Sequence, residues 1–159
     1  MLVLATKQDK DEIMKIYRSS IGVNGCTWSM EYPNEDIFDD DIARNNLLCL
    51  KNDGGKIIGV ISIDEDEVVD SLPMWNKEMH SAEIARVAVR EDCRCKGVAT
   101  AMVSDMLEEL VARGYEGVHL LVSKTNPAAI KCYNKFGFKV VGESDVLGEN
   151  WWCYEKRLV

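Results

Sequence analysis

Apolar residues recur at helical spacing between residues 97 and 114, and they form the clearest periodic pattern in the chain. Six positions follow the series i, i+3, i+4, i+7, i+8 and i+11: Ala99, Met102, Val103, Met106, Leu107 and Leu110. This spacing places their side chains on one face of an amphipathic helix. Gly114 follows the last apolar position, where glycine commonly ends a helix. The pattern therefore predicts a long helix that packs one face against a core.

An alternating apolar run, from Ile84 to Val89, precedes this helix and predicts a buried strand. A charged loop joins the two elements and contains Arg94 and Lys96. The amide N–H groups in the first turn of a helix have no partners within the helix, and the helix dipole adds partial positive charge there. Gly97 would let the backbone approach a ligand closely, because glycine has no Cβ. The strand, loop and helix therefore predict a site for a phosphate group.

The remaining periodicity predicts one α/β domain over residues 1–159, in the order β-α-(α)-β-β-β-α-β-α-β-β. Strands are expected at 2–5, 47–51, 56–63, 81–90, 117–122, 138–142 and 150–158, and helices at 7–20, 34–44, 97–113 and 127–136. Residues 52–55 have the composition of a hairpin turn. The stretch 63–80 is expected to cross the surface as a connection.

The composition of the chain limits which partners we expect the protein to bind. A net charge of −8 argues against nucleic-acid binding, which needs a basic surface. No apolar run is long enough for a membrane span, and the first residues lack the features of a secretory signal. The six cysteines, including the pair Cys93 and Cys95, lack disulfide-like or zinc-like spacing. We therefore expect reduced thiols, a cytoplasmic location and no metal.

Three motifs together resemble the GNAT superfamily of N-acetyltransferases, and they cover roughly residues 82–142. Arg94, Gly97 and Ala99 are similar to its Arg/Gln-x-x-Gly-x-Gly/Ala loop, although Glu91 stands where the family often has proline. Residues 126–129 (Asn-Pro-Ala-Ala) begin a short helix, as in the family, and residues 133–138 are similar to its Tyr-x-x-(Leu/Phe)-Gly-Phe ending. The resemblance implies the GNAT fold: a mixed, mostly antiparallel sheet of six to seven strands with about four helices, splayed between its central strands.

The resemblance also implies acetyl-coenzyme A as cosubstrate. Its pyrophosphate would lie on backbone N–H groups of Arg94, Cys95, Lys96, Gly97, Val98, Ala99 and Thr100, and its pantetheine arm along Val87, Ala88 and Val89. Backbone N–H groups near Val89 would polarise the thioester carbonyl. Asn126 would bond the arm or order its loop, but it also suits a plain helix cap.

Two residues are candidates for the proton transfers that acetylation of an amine requires. Tyr133 would protonate the departing thiolate as a general acid, or it is simply a core tyrosine on an apolar helix face. Glu83 would be the general base, with Glu31 and His80 as rivals, or it is a solvated charge at a strand end.

The segments expected to frame the acceptor are acidic, in particular residues 31–41 and 64–70. They would attract a cationic small amine, unless they are simply solvated charges. Trp28, Glu31 and Tyr32 are the candidate acceptor-binding residues. A protein or peptide acceptor, and a non-catalytic sensor of acyl-coenzyme A, remain alternatives. The C-terminal strand pair could also form a homodimer.

Overall fold

The computed structural model describes residues 1–23 and 25–159. Within them lie seven strands: β1 (Val3–Leu4), β2 (Leu47–Lys51), β3 (Ile57–Asp64), β4 (Ser81–Val89), β5 (Gly117–Ser123), β6 (Lys139–Ser144) and β7 (Trp151–Arg157). The α-helices of the described residues are α1 (Lys10–Ser19), α2 (Glu35–Ala43), α3 (Glu67–Asp70), α4 (Val98–Ala112) and α5 (Pro127–Asn134). The mixed α/β class and the predicted order are confirmed, with α3 as an addition.

The strands form one sheet in the order β1-β2-β3-β4-β5-β7-β6. Neighbours run antiparallel except β4 and β5, which are parallel. The β4–β5 pairing covers three residue pairs and ends at Glu83 and His119, whereas β5 stays paired with β7 as far as Ser123. The two central strands therefore separate after Glu83, which confirms the predicted splay.

Helix α4 covers one face of the sheet. Its side chains Met102, Val103, Met106 and Leu110 are fully buried, and they pack with apolar residues of β2 to β5. Tyr133 of α5 belongs to the same cluster. The apolar stripe predicted for this helix is confirmed, and it fixes the position of the first turn of α4 beside the end of β4.

The opposite face carries two separate groups of packing residues. Helices α1 and α2 cover β2 and β3, where Ile13, Tyr17 and Phe38 are buried. Val69 and Trp75 pack with Cys153 of β7 and with Leu121. Between these groups the central strands carry polar side chains, including Glu83, Arg86 and His119. This polar strip lies beside the separation of β4 and β5.

The stretch 63–80 corrects one prediction. We expected a surface connection, but residues 67–70 form α3, and Val69 and Trp75 are buried. Asp66 caps α3, because its carboxylate accepts hydrogen bonds from the backbone N–H groups of Val68 and Val69.

The predicted N-terminal helix also differs, because residues 7–9 form a 3-10 turn before α1. No helix in residues 1–23 and 25–159 is both long and apolar enough to cross a membrane.

Candidate active site

A cleft of about 770 Å³ opens where β4 and β5 separate. One wall is β4 from Glu83 to Val89, and the other contains the end of β5 and part of α5. Past Glu83, β4 pairs only with β3 among the described strands, so its other edge faces the cleft. An unpaired strand edge presents backbone N–H and C=O groups that an extended ligand can bind as an added strand.

The first turn of α4 forms one end of the cleft. Gly97 precedes the helix with φ of 80°, and Cys95 also has a positive φ of 60°. The first intrahelical bond runs from the N–H of Ala101 to the carbonyl of Gly97. The N–H groups of residues 98–100 therefore remain available for an anion. Glycine suits position 97 because of its positive φ and not because of crowding, since a Cβ at that position would meet no atom within 4 Å.

Arg94 has a structural contact that the motif did not predict. Its Nη2 donates to the carbonyl oxygen of Ser19 at 3.1 Å and to the Ser19 hydroxyl at 3.2 Å. Ser19 is the last residue of α1, where the helix dipole favours a positive charge. Arg94 therefore ties the phosphate loop to α1. Lys96 is exposed, and Arg94 and Cys95 line the cleft.

Tyr133 lies on the α5 side of the same cleft. Its ring packs edge-on against Phe138 at 5.6 Å and Tyr154 at 6.4 Å, and the residue is 7% exposed. Burial raises the pKa of the Tyr133 phenol, so the hydroxyl keeps its proton at neutral pH. Tyr133 thus combines a core position with a place on the cleft wall.

Glu83 lies at the point where the strands separate. The residue is 5% exposed, and its Oε1 has no hydrogen-bond partner among the described residues. Burial raises the pKa of this carboxyl well above its usual value, and the nearby carboxylates of Asp64, Asp70 and Asp66 add to the rise. A carboxyl group with a raised pKa is a better proton acceptor than an ordinary glutamate.

His119 is the neighbour of Glu83 across the parallel strand pair. Its Nε2 lies 2.9 Å from the Oδ1 of Asp70, and its ring stacks on Trp75 at 4.4 Å. Burial lowers the pKa of the imidazole, which favours its neutral form. One sequence signal could have indicated His119, because it is a polar residue within the apolar run 117–122.

Arg86 anchors the polar strip. It sits in a β-bulge, where Arg86 and Val87 together oppose Ile61, and its φ is 50°. The guanidinium donates to both carboxylate oxygens of Asp41 at 3.1 and 2.9 Å, to Asp64 at 3.0 Å and to the hydroxyl of Tyr32 at 3.1 Å. Two carboxylates therefore surround its single positive charge. Sequence reasoning missed this network, because a bulge shifts which strand residues share a face.

A second cavity of about 470 Å³ adjoins the cleft and shares seven lining residues with it: Thr27, Tyr32, Asp64, Asp66, Arg86, Leu147 and Trp151. Its lining carries more negative than positive charge: Asp40, Asp41, Asp64, Asp66 and Glu149 against Arg44 and Arg86. Tyr32 and Trp151 supply aromatic surface. The Glu83 end of the cleft therefore opens into an acidic space with aromatic walls.

Residues 11–138 match the family model described as the acetyltransferase (GNAT) family. The chain belongs to the GNAT family. A GNAT acetyltransferase of Streptococcus agalactiae has a TM-score of 0.82 at 21% identity, covering 99% of this chain and 94% of that one. A Salmonella typhimurium acetyltransferase structure, solved with acetyl-CoA, has a TM-score of 0.76 at 18% identity, covering 100% of this chain and 94% of that one. These likenesses confirm the predicted GNAT fold.

Curated relatives match this GNAT chain at low identity. An acetyltransferase of Pectobacterium atrosepticum is 33% identical over 75 residues, which are 47% of this chain and 52% of that protein. An L-methionine sulfoximine/L-methionine sulfone acetyltransferase of Pseudomonas aeruginosa is 23% identical over 146 residues, which are 89% of this chain and 81% of that protein. The chain thus spans about half the length of the first relative.

The structure places some of the predicted acceptor-binding residues and candidate bases of this GNAT chain at the cleft and others away from it. Trp28 lines the cleft, with its ring edge-on to Tyr17 at 5.6 Å, and Tyr32 lines both cavities. Glu31 is exposed and lies outside the described lining of either cavity. His80 is also exposed, and it stacks on Tyr115 away from both linings. Of the three candidate bases, the geometry therefore favours Glu83.

A segment between α1 and α2 lines the GNAT cleft and contacts Asn126 on its α5 side. We call its described residues, 20–23 and 25–28, the bridging loop. Its Gly25 packs so closely on Asn126 that a Cβ there would lie 2.7 Å from the Cα of Asn126. Asn126 itself caps α5, because its Oδ1 accepts from the N–H of Ala129 at 3.1 Å. The cap alternative for Asn126 is therefore realised, and its contact with the coenzyme stays a prediction.

Proposed function

We propose that this protein transfers the acetyl group of acetyl-coenzyme A to a primary amine, and that the amine belongs to a cationic small molecule. The observation that carries the proposal is the position of Glu83, a buried carboxylate with an unpaired oxygen at the end of the splayed β4 edge. The family and the acetyl-CoA in the Salmonella structure support the donor.

The coenzyme would bind along three parts of the cleft that the structure provides. Its phosphates fit the free N–H groups of the first turn of α4, beyond Gly97. Its extended arm fits the open edge of β4 from Val87 to Val89. A backbone N–H near Val89 would then stabilise the oxyanion that forms when the thioester carbonyl is attacked.

The reaction needs two proton transfers. The Glu83 carboxylate would accept a proton from the amine, whose nitrogen then attacks the carbonyl carbon of the thioester. As the carbon–sulfur bond breaks, the Tyr133 hydroxyl would donate its proton to the departing thiolate. The raised pKa values of both groups suit these roles, because Glu83 becomes a stronger base and Tyr133 remains protonated.

The charge of the second cavity supports a cationic acceptor. Five carboxylates line it, and the guanidinium of Arg86 is already bound to Asp41 and Asp64. An acceptor with a second ammonium group would gain electrostatic attraction there. An acceptor with a carboxylate would be repelled, since Arg86 cannot bind it without giving up one of these partners.

A second candidate is an amino-acid acceptor, and two relatives favour it by their names. One is the Pseudomonas aeruginosa enzyme described above, and the other is the human N-acetylaspartate synthetase, 30% identical over 91 residues, which are 57% of this chain and 27% of that protein. A peptide acceptor and a non-catalytic sensor remain further alternatives.

Three acceptors of equal chain length separate these possibilities. Release of the coenzyme thiol would be followed with butylamine, 1,4-diaminobutane and 4-aminobutyrate, beside L-methionine sulfone and a short peptide. We expect kcat/KM for the diamine to exceed that for butylamine by at least ~10-fold, equivalent to ~1.4 kcal/mol, and 4-aminobutyrate to be the poorest of the three.

The Glu83→Gln variant controls for background transfer, because it keeps the shape of the side chain and removes the base. A preference for 4-aminobutyrate or L-methionine sulfone over the diamine would overturn the cationic acceptor. Transfer to the peptide alone would select the protein acceptor. Coenzyme binding without transfer to any acceptor would contradict the enzymatic function.

A further inference from the structure

Three potential metal ligands meet beside the separation of β4 and β5. One ligand atom each from Asp70, Glu83 and His119 lies within 4.8 Å of the other two. The residues come from α3, β4 and β5, so they are far apart in the sequence and adjacent only in the fold. Two carboxylates and an imidazole are a ligand set that divalent transition metals bind.

The carboxyl group of Glu83 has an unpartnered oxygen, and the Nδ1 of His119 is also buried without a hydrogen-bond partner among the described residues. Glu83 is only 5% exposed, and its Oε1 has no hydrogen bond among the described residues. Burying a carboxylate oxygen without a partner is costly, so this oxygen favours the binding of a cation. One carboxylate oxygen of Glu83 lies within 4.8 Å of a ligand atom of Asp70 and of His119, so this carboxyl group borders both residues.

The other two ligands are already positioned. The Nε2 of His119 lies 2.9 Å from the Oδ1 of Asp70, and the indole of Trp75 stacks on the imidazole at an interplanar angle of 13°. Trp75 is held in turn, because its Nε1 donates to the carbonyl of Val69 at 2.7 Å. Such support around a ligand raises metal affinity, because less freedom is lost on binding.

The local charge also favours a divalent cation. Asp64 and Asp66 lie close enough to Glu83 to disfavour its ionised form. Arg86 is close as well, but its guanidinium is bound to Asp41 and Asp64. A divalent ion would balance the two negative charges of Asp70 and Glu83.

We propose that Asp70, Glu83 and His119 form a binding site for one divalent transition-metal ion of the Zn²⁺ and Co²⁺ class. The side chain of Asp70 is 44% exposed, which gives the ion a route from solvent. With three protein ligands, the ion keeps positions for water. A second consequence rests on the proposed function: because the ion occupies Glu83, it competes with the amine and inhibits acetyl transfer.

Titration of the thiol-reduced, metal-free protein with Co²⁺ tests the site directly. Visible absorption and calorimetry would report the stoichiometry and the ligand type, because thiolate ligands add an intense charge-transfer band. His119→Ala and Glu83→Gln each remove a ligand. His80→Ala is the matched control, since it removes the only other histidine of the chain, which is exposed and stacked on Tyr115. Circular dichroism would check that each variant folds.

We expect one Co²⁺ per chain without a thiolate band, retained in His80→Ala and weakened by at least ~10-fold in both ligand variants. The absence of saturable binding, a thiolate band, or equal affinity in Glu83→Gln and the wild type would overturn the site. Should His119→Ala fail to fold, the near-isosteric Glu83→Gln still decides.

The binding titration contains neither coenzyme nor amine, so it is independent of the proposed function. Inhibition is measured separately with Zn²⁺ in the thiol-release assay, and we expect it to be competitive with the amine and reversed by a chelator. Binding without such inhibition would support the metal site and contradict the role of Glu83 as base.

Discussion

The buried ion pair between Arg86 and Asp41 allows a quantitative test of how the polar strip is held. Both side chains are 3% exposed, and Nη2 of Arg86 lies 2.9 Å from Oδ1 of Asp41. Asp41 also accepts a hydrogen bond from the hydroxyl of Ser62 at 3.0 Å. The substitution Asp41→Ala removes all of these contacts and leaves the guanidinium of Arg86 with Asp64 as its remaining carboxylate partner.

The expected cost follows from the burial of the pair. Removing one partner of a buried ion pair destabilises a protein by about 3–5 kcal/mol, because the other charge stays buried. Asp64 still contacts Arg86 at 3.0 Å, so we expect the lower end, about 3 kcal/mol. For a chain of this length, that loss lowers Tm by roughly 6–12 °C.

Asp39→Ala is the matched control on the same helix. Asp39 pairs with Lys10 at 3.1 Å, but the two side chains are 57% and 31% exposed, and such surface pairs contribute about 0–1 kcal/mol. Both substitutions replace aspartate by alanine within α2, Asp39 at its middle and Asp41 two residues later. Their effects on helix propensity and on the helix dipole therefore largely cancel in the comparison.

Urea denaturation followed by circular dichroism gives the free energy of unfolding of each variant. We expect Asp41→Ala to lose about 2–3 kcal/mol more than Asp39→Ala. A difference below about 1 kcal/mol would refute the reasoning. It would mean that water or another side chain compensates Arg86 once Asp41 is gone.

Three further predictions concern the cleft. Tyr133→Phe should lower kcat by ~100- to 10,000-fold with little change in coenzyme binding, measured by thiol release and calorimetry, and an unchanged kcat would exclude the acid role. Because the pKa of Glu83 is raised and the base must be ionised, the rate of the wild type should fall as the pH drops through a value above the ~4.3 of an ordinary glutamate. The Glu83→Gln variant should lose that dependence, and a wild-type pH profile in this variant would contradict the role of Glu83 as base. Gly25→Ala should lower Tm and weaken coenzyme binding, because its Cβ would clash with Asn126 and displace the bridging loop, and a thermal scan showing wild-type stability would contradict this contact.

The elements with a clear apolar period could be predicted from the sequence. The stripe from Ala99 to Leu110 predicted a helix at 97–113, and α4 spans Val98–Ala112. The closing strand, expected at 150–158, spans Trp151–Arg157. Helix α4 buries one face against the core, and β7 buries Cys153 on one face of the sheet and Tyr154 on the other, so the local pattern and the final structure agree.

The segments that depend on tertiary contacts could not be predicted in the same way. Helix α3 has four residues, and its single buried side chain, Val69, gives no period to detect. The bulge at Arg86 exists in the context of carboxylates from α2 and β3, which no local pattern indicates.

The residues of the candidate site also fall into those that local motifs predict and those that depend on tertiary contacts. The phosphate loop and Tyr133 follow from motifs within one stretch of chain, so a resemblance could indicate them. The neighbourhood of Glu83 and His119 depends on the parallel pairing of β4 with β5, and Asp70 joins it from α3, where it contacts His119. Glu83 was therefore one of three candidate bases in the sequence, and the structure distinguishes it by burial and by its unpaired oxygen.

The central claim is that acetyl-coenzyme A binds along β4 with its phosphates on the first turn of α4. Arg94 is a poor probe of this claim, because its guanidinium also holds the end of α1. Gly97→Glu is sharper, since it places a carboxylate at the helix N-terminus. Gly114→Glu is its control, because both glycines have positive φ and open space for a Cβ. Gly114 follows the other end of the same helix, which is about 22 Å long.

Calorimetric titration of the wild type and both variants with acetyl-coenzyme A is the most direct measurement. We expect micromolar binding by the wild type and by Gly114→Glu, and at least ~10-fold weaker binding by Gly97→Glu. Equal affinity in the two variants would place the phosphates elsewhere, and no binding by the folded wild type would contradict the account as a whole.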